Sequence, residues 1–520
     1  MRVRQIIILL CIIAVAALFR FTGINWDDNA HLNPDERFLT MVATSVSWPA
    51  SIAQYFDTKS SPLNPHNRGY NFYVYGTYPM IFTKLVATLV HMDTYDGITI
   101  VGRTLSGILD LLTLSTVFLI AGPLAAFCYG VMVLPIQLSH FFTVDPYATL
   151  CITIVLYRIL RHKFDTITGI ALALAVGAKV SAALVIPIVV LAYITSKPWK
   201  NPLWFILGFL ITFRIIYPYL FDGVFTLNPL ILANWRQLKA FDGDQTTFPP
   251  ALQWIGVYPW QPILDLLIWG LGLPLGALTV ISLWKRPHRI LTTWIVFLLL
   301  YQSFQFAKAM RYLWPIYPAL AIIAGTYLSS LRKQFMTLSL CVVLLLYPFA
   351  FLSVYLHPNT RNVATNWIYD NIPPGSTIAW ETWDDPLPLP THTNQITQYT
   401  TIPLSIYDPD SDAKWHTIAA QLSKTGYLIL SSNRVYGGVA HAIKRYPITN
   451  SYYQLLFSNQ LGFEKIAEFT SRPTLFGFRF VDDHAEESFT VYDHAKVTIL
   501  KNANRYDPQT LYELITTTAF

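Results

Sequence analysis

Charge is scarce in this chain. Only 13% of its 520 residues are charged, against 53% hydrophobic. A mean hydropathy of +0.40 excludes an ordinary water-soluble globule. Cysteine is scarcer still: Cys11, Cys128, Cys151 and Cys341 all lie inside apolar stretches, with neither a disulfide framework nor zinc-ligand spacing among them. The net charge of +6 is small and spread over short loops, which makes it a topology signal and excludes a nucleic-acid partner. What is abundant is apolar sequence. It recurs from the N-terminus to about residue 356, and beyond that the composition turns mixed and polar.

These runs predict a polytopic α-helical membrane protein with about 11 transmembrane helices. The expected spans are residues 5–21, 97–119, 123–140, 146–160, 165–178, 180–196, 202–220, 262–283, 289–306, 312–330 and 335–355. Arg2 and Arg4 precede the first run, and Ala14-Val15-Ala16 raises a cleavable signal peptide; an uncleaved first helix with a cytoplasmic N-terminus is the expectation. Cytoplasmic loops then carry Arg158, Arg161 and Lys163; Lys197 and Lys200; Lys285, Arg286 and Arg289; Arg332 and Lys333. This pattern holds only if the stretch 74–92, with Tyr73, Tyr75, Tyr78, Pro79, Lys84 and His91, lies at the outer surface without crossing. Residues 22–96 (first outer loop with juxtamembrane helices), 221–261 (long outer loop) and 357–520 are then extracytoplasmic.

On that topology two acids stand out: Asp35 in NPDERF and Asp145 in SHFFTVDPYATL. Bases gather on the same side: Lys179 in AVGAKVSA, Lys308 and Arg311 in FQFAKAMRYLWP, and Arg103 and Arg214 near helix ends. Each has a plainer reading. Asp145 precedes Pro146 and suits a helix N-cap; Asp35 and Glu36 suit the first turn of a surface helix; the lysines and Arg311 suit snorkelling anchors. Arg103 and Arg214 need an acidic partner or a bound anion, because an unpaired guanidinium among lipid is costly. Taken together, the acids can accept a proton from an attacking hydroxyl, and the bases can hold a lipid-linked phosphate as it leaves. Buried charge also suits a lipid-linked sugar or glycan transporter, though no pair of internal repeats supports one. A membrane receptor that binds through its outer domain is a third class.

At these residues the chain resembles the GT-C glycosyltransferases that use polyprenyl-phosphate sugars, and most closely the protein mannosyltransferase and lipid A aminoarabinose transferase branch. The likeness runs in order through NPDERF, VGRTLSGILDLLT, SHFFTVDPYATL, AVGAKVSAALV and KAMRYLWPIYPALAI. It implies a bundle of the GT-C type over residues 1–356 and inverting transfer of a monosaccharide, mannose or a related sugar. The acceptor would be an extracytoplasmic hydroxyl or phosphate on glycan, lipid or protein, in the cytoplasmic membrane of a prokaryote. Asp35 would be the base or acceptor-orienting group, Glu36 the second acid of an Asp-Glu pair, and Asp145 a supporting acid. Lys179, Lys308, Arg311, Arg103 and Arg214 would hold the donor phosphate. His66, Tyr78 and Tyr312 are candidate substrate contacts. The adjacency of Asp35 and Glu36 favours a hydroxyl acceptor. The resemblance implies no cofactor and no catalytic metal, and leaves the oligomeric state open.

After residue 356, RNVATNWIYDNIPPGSTIAW reads as helix, turn and strand, HTIAAQLSKTGYLILSSN as helix and strand, and EKIAEFTSRPTLFGFRF and ESFTVYDHAKVTIL as later strands. An α/β domain is expected. Its Trp380, Trp383, Tyr436, Tyr452 and Tyr453 are able to stack on sugars, although core packing is the commoner fate. Asp384-Asp385 and Asp482-Asp483-His484 are acid clusters of the sort common in solvated turns. The domain departs from the β-trefoil of eukaryotic protein mannosyltransferases, which counts against a protein acceptor.

Overall fold

The computed structural model describes residues 3–196, 201–223, 226–391 and 395–517. Arg2, Lys197 and Lys200 lie outside these. Three helical stretches, Val3–Phe21, Tyr95–Ala121 and the run beginning at Gln334, are long and apolar enough to cross a membrane. Shorter apolar helices accompany them: Thr166–Ala178, Val180–Thr195, Leu203–Ile216, Leu273–Lys285 and Arg289–Ser303. Their outward faces are apolar, as Leu10, Trp204, Leu210, Trp284 and Phe335 show, and such surfaces require lipid. The chain is a multi-pass membrane protein.

Proline explains why several expected spans are shorter than the runs that predicted them. The run 123–140 becomes two buried helices, Pro123–Gly130 and Val133–Leu138, and the run 312–330 becomes a 3-10 segment, Met310–Ile316, followed by Tyr317–Ser329. Pro135 and Pro318 sit in the first turns of the helices that follow each break, where a missing N–H costs nothing, and Pro315 lies inside the 3-10 segment. The stretch 74–92 holds a 13-residue helix, Thr77–Leu89. At about 20 Å it is too short to cross a ~30 Å hydrocarbon core. It packs on Pro34–Ser45, Tyr95–Ala121 and Thr166–Ala178.

The bundle helix Gln334–Leu356 leads directly to Thr360–Asn371, the first helix of the C-terminal domain. Its strands are β1 (Thr377–Glu381), β2 (Thr400–Leu404), β3 (Tyr427–Leu430), β4 (Phe463–Phe469), β5 (Thr474–Leu475), β6 (Phe478–Arg479) and β7 (Val497–Asn502). Five form a mixed sheet ordered β2-β1-β3-β7-β4, parallel as far as β3 and antiparallel beyond, while β5 and β6 pair as a separate hairpin. Alternation feeds two cores. Ala379, Leu428 and Leu500 face the helix Asp412–Lys424, and Ile378, Ile429 and Ile499 face Thr360–Asn371. The segment ESFT, expected in a strand, is a short helix, and β2 was not anticipated. Tyr452 and Tyr453 are core residues.

Candidate active site at the mouth of the bundle

The sequence Asn-Pro-Asp-Glu builds a helix start. The Asn33 side chain accepts the N–H groups of Asp35 (3.0 Å) and Glu36 (3.2 Å), with Pro34 at the first helical position. Successive residues of a helix point about 100° apart, so the two acids part company. Glu36 turns inward and is 0% exposed; Asp35 turns to the cleft and keeps 25% of its side chain accessible.

Glu36 belongs to a buried structural cluster. Arg103 donates to Glu36 at 2.9 and 2.5 Å and to Asp27 at 2.9 Å through each terminal nitrogen, and the Phe142 N–H reaches Glu36 at 2.7 Å. The guanidinium also donates to the Ile24 carbonyl and lies 5.0 Å from the Trp26 ring centre. Neither the catalytic role expected of Glu36 nor the phosphate-binding role expected of Arg103 fits this placement, because both are sealed and fully partnered. With Glu36 sealed away from Asp35, the adjacency of the two acids gives no reason for a hydroxyl acceptor. Arg103 did need an acid, and Asp27 and Glu36 are the ones it has. Asp110 serves Arg20 instead, at 2.5 Å.

Asp35 meets the other expected residues. Arg311 pairs with its Oδ2, and the Tyr75 hydroxyl donates to its Oδ1 at 3.1 Å. Asp145, the first residue of Asp145–Ile159, pairs with the Lys179 ammonium at 2.6 Å. The Tyr312 ring joins the pairs, with Lys179 Nζ 4.8 Å and the Arg311 guanidinium 5.5 Å from its centre. Burial opposes ionisation of Asp35, but Arg311, the Tyr75 hydroxyl and Lys179 outweigh it and hold the carboxyl below the usual range. Asp35, Asp145, Lys179, Arg311 and Tyr312 thus form one cluster.

Backbone packing places Lys179 of this cluster and Tyr75, which donates to it. The Gly76 N–H bonds the Ala178 carbonyl at 3.1 Å, fastening the segment after Tyr75 to the turn before Lys179. A Cβ on Gly76 would fall 1.7 Å from the Gly177 oxygen, so only glycine allows this approach.

The remaining candidates have their contacts elsewhere. Lys308 donates to the carbonyls of Gln305 (2.8 Å) and Phe306 (3.3 Å) in its own loop, where burial lowers its pKa. Arg214 donates to Gly223 and lies over Phe56 and Phe221. His66 bonds Asn234 at 3.0 Å, joining the two long loops. Tyr78 packs edge-on to Tyr147, two residues beyond Asp145. The acids of the C-terminal clusters are spoken for: Asp384 by Arg361, Asp385 by Arg37, Asp482 by His494 and Asp483 by Arg472.

The C-terminal domain closes over the mouth. Gln137 donates to the Phe489 carbonyl (2.6 Å) and to Asp493, which also accepts from Tyr355 (2.6 Å) and contacts His494 (2.5 Å). Burial disfavours a charged His494, but Asp493 and Asp482 outweigh it and raise its pKa to about 10. This docking brings Tyr492 into the electrostatic field of Asp35 and Arg311. Sequence reading missed Tyr75, Tyr492 and Asp27 as members of these clusters. The tyrosine-rich FYVYGTYP pointed to Tyr75; nothing local pointed to Tyr492.

No protein-family model and no curated protein matches the chain. Among solved structures it is similar to ArnT from Cupriavidus metallidurans in the apo state, at 17% identity and a TM-score of 0.44 over 84% of this chain and 72% of that one. It is similar to the Archaeoglobus fulgidus oligosaccharyltransferase in the apo form, at 12% identity and a TM-score of 0.46 over 92% and 75%. It is also similar to the arabinofuranosyltransferase AftD from Mycobacteria, at 15% identity and a TM-score of 0.37 over 96% of this chain and 40% of that one. Identities this low leave the chemistry to be read from the chain's own residues.

Proposed function

We propose that this chain is a membrane glycosyltransferase of the GT-C type that moves a monosaccharide from a polyprenyl-phosphate carrier to an acceptor hydroxyl or phosphate. The observation that carries the reading is the paired cluster: two carboxylates and two cations around Tyr312, half-buried at the bundle mouth. A donor phosphate takes Arg311 and Lys179 as its counter-ions, which frees Asp35 and Asp145. Relieved of Arg311, Asp35 becomes more basic and accepts the proton of an acceptor hydroxyl. The acceptor oxygen bonds to the anomeric carbon as the bond to the phosphate oxygen breaks, and the lipid phosphate leaves with its charge held by the two cations. Direct displacement inverts the anomeric centre. Asp145 orients the acceptor or supports Lys179, and Tyr312 offers a stacking face to the sugar. The sugar is mannose or a relative, and the acceptor a glycan, lipid or protein. The mouth and C-terminal domain face the extracytoplasmic side of a prokaryotic cytoplasmic membrane, with the N-terminus cytoplasmic; no cofactor and no metal take part.

The test is transfer from a panel of radiolabelled polyprenyl-phosphate monosaccharides into native membrane extracts, comparing wild type with D35N and D145N. Transfer that collapses in D35N while the protein stays folded supports the reading. Flipping of the lipid without transfer, unchanged in both variants, overturns it in favour of a transporter.

A further inference from the structure

The β5–β6 hairpin serves neither the sheet nor the mouth. Thr474 pairs with Arg479 and Leu475 with Phe478, and the turn places both Phe476 (φ 51°) and Gly477 (φ 85°) in the left-handed region, as a tight two-residue hairpin turn requires. The stem is fixed by the Phe480 N–H to the Pro473 carbonyl (2.9 Å) and by Arg472 with Asp483 (2.6 Å). On this small element Phe476 is 87% exposed, Phe478 77%, Val481 53% and Phe480 39%. A lone two-stranded hairpin is marginal in water, and an ordered one that presents three phenylalanines has no reason to be bathed in it.

Its neighbour says what it meets. Thr474 donates to Ser353 Oγ at 2.9 Å, and the Phe480 ring lies edge-on to Tyr347 at 5.6 Å, both on the membrane-spanning helix Gln334–Leu356. Arg332 and Lys333 mark one end of that helix. Counting from Lys333 at 1.5 Å per residue, Tyr347 is about 21 Å along and Ser353 about 30 Å, the thickness of the hydrocarbon core. A second helix agrees. Gly272 lies against the Tyr347 ring, and Leu273–Lys285 runs 13 residues from there to its own basic end, again about 20 Å. The stem of the hairpin therefore sits where hydrocarbon gives way to headgroups, and Phe480 meets the helix below that level. The exposed apolar strip of the same helix, Leu346, Phe349 and Leu356, continues the surface. Exposed Arg479 is free to reach toward lipid phosphates.

We infer that the β5–β6 hairpin is a membrane-inserting element. It seats Phe476, Phe478 and Phe480 in the phospholipid headgroup–acyl boundary beside Gln334–Leu356 and fastens the C-terminal domain to the bilayer independently of its docking on the mouth. Such an anchor serves whatever reaction the mouth performs.

The test uses the full chain with its four cysteines replaced by alanine, reconstituted in phosphatidylcholine vesicles. A nitrobenzoxadiazole label is placed at F476C, or at F478C should that variant fail to fold, and at K424C on the helix Asp412–Lys424 as reference. The expected result is blue-shifted emission at the hairpin and several-fold stronger quenching by 5-doxyl-phosphatidylcholine there than at the reference. Water-like emission with equal quenching by aqueous iodide at both positions overturns the inference. So does a hairpin label shielded from both quenchers, which would mean that protein covers it.

Discussion

Asp35 and Glu36 are neighbours in sequence and opposites in role. Asn33 and Pro34 fix where the helix starts, and the 100° between consecutive residues sends one acid to the cleft and the other to Arg103. Two variants separate the roles. D35N is expected to lower transfer by about 10²–10⁴-fold with little loss of stability, since it removes a proton acceptor from a partly accessible position. E36Q leaves Arg103 with one carboxylate fewer in a sealed site and is expected to cost roughly 3–5 kcal/mol of stability, read as a fall in thermal midpoint. A stable E36Q with lost transfer would return Glu36 to the chemistry. Asp35, Asp145, Lys179, Arg311 and Tyr312 were legible because charge in an apolar chain is conspicuous and their motifs come in order. The fate of Glu36 and Arg103 was not, because their third partner, Asp27, lies in a loop whose acids look ordinary until the chain folds.

Among elements, the junction of Thr77–Leu89 with the end of Thr166–Ala178 places both Tyr75 and Lys179. G76A puts a methyl group against backbone oxygens and is expected to cost about 1–3 kcal/mol, or more where the backbone cannot yield. It should reduce transfer as well, while G243A, with open space around it, changes neither. Unfolding midpoints and transfer rates of the two variants decide this. The element around His494 carries a pH dependence. Its folded pKa of about 10 stands above the ordinary 6.5, so protonation stabilises the fold. That contribution is complete below pH 6.5 and is lost as pH climbs to 10. The thermal midpoint should fall across that window in wild type, and H494Q should start lower and respond less. Helix, turn and strand order at 360–381 and 412–430 could be read from periodicity. The broken spans could not, because hydropathy counts apolar residues and is blind to where proline restarts a helix.

At the scale of the whole molecule, bundle and C-terminal domain share one polar seam. Gln137, Tyr355 and Asp493 come from three distant parts of the sequence, and Arg37, two residues beyond Asp35, reaches Asp385 at 3.1 Å. A double-mutant cycle on Q137A and D493A is expected to show a coupling of about 0.5–3 kcal/mol in chemical unfolding; additive effects would mean that the domain merely rests on the bundle. No local pattern announces such a seam, which is why Tyr492 went unseen. The self-paired mouth has a further consequence for life inside a bilayer. Phospholipid phosphates surround it in vast excess over any carrier, and two bare cations there would be permanently clogged. With Asp35 and Asp145 already satisfying them, an ordinary headgroup gains little by entering, since every contact it makes breaks one already made. A ligand that gives the cations a phosphate and the displaced acids a hydroxyl replaces more of what it breaks. The resting ion pairs thus discriminate against headgroups that offer a phosphate alone.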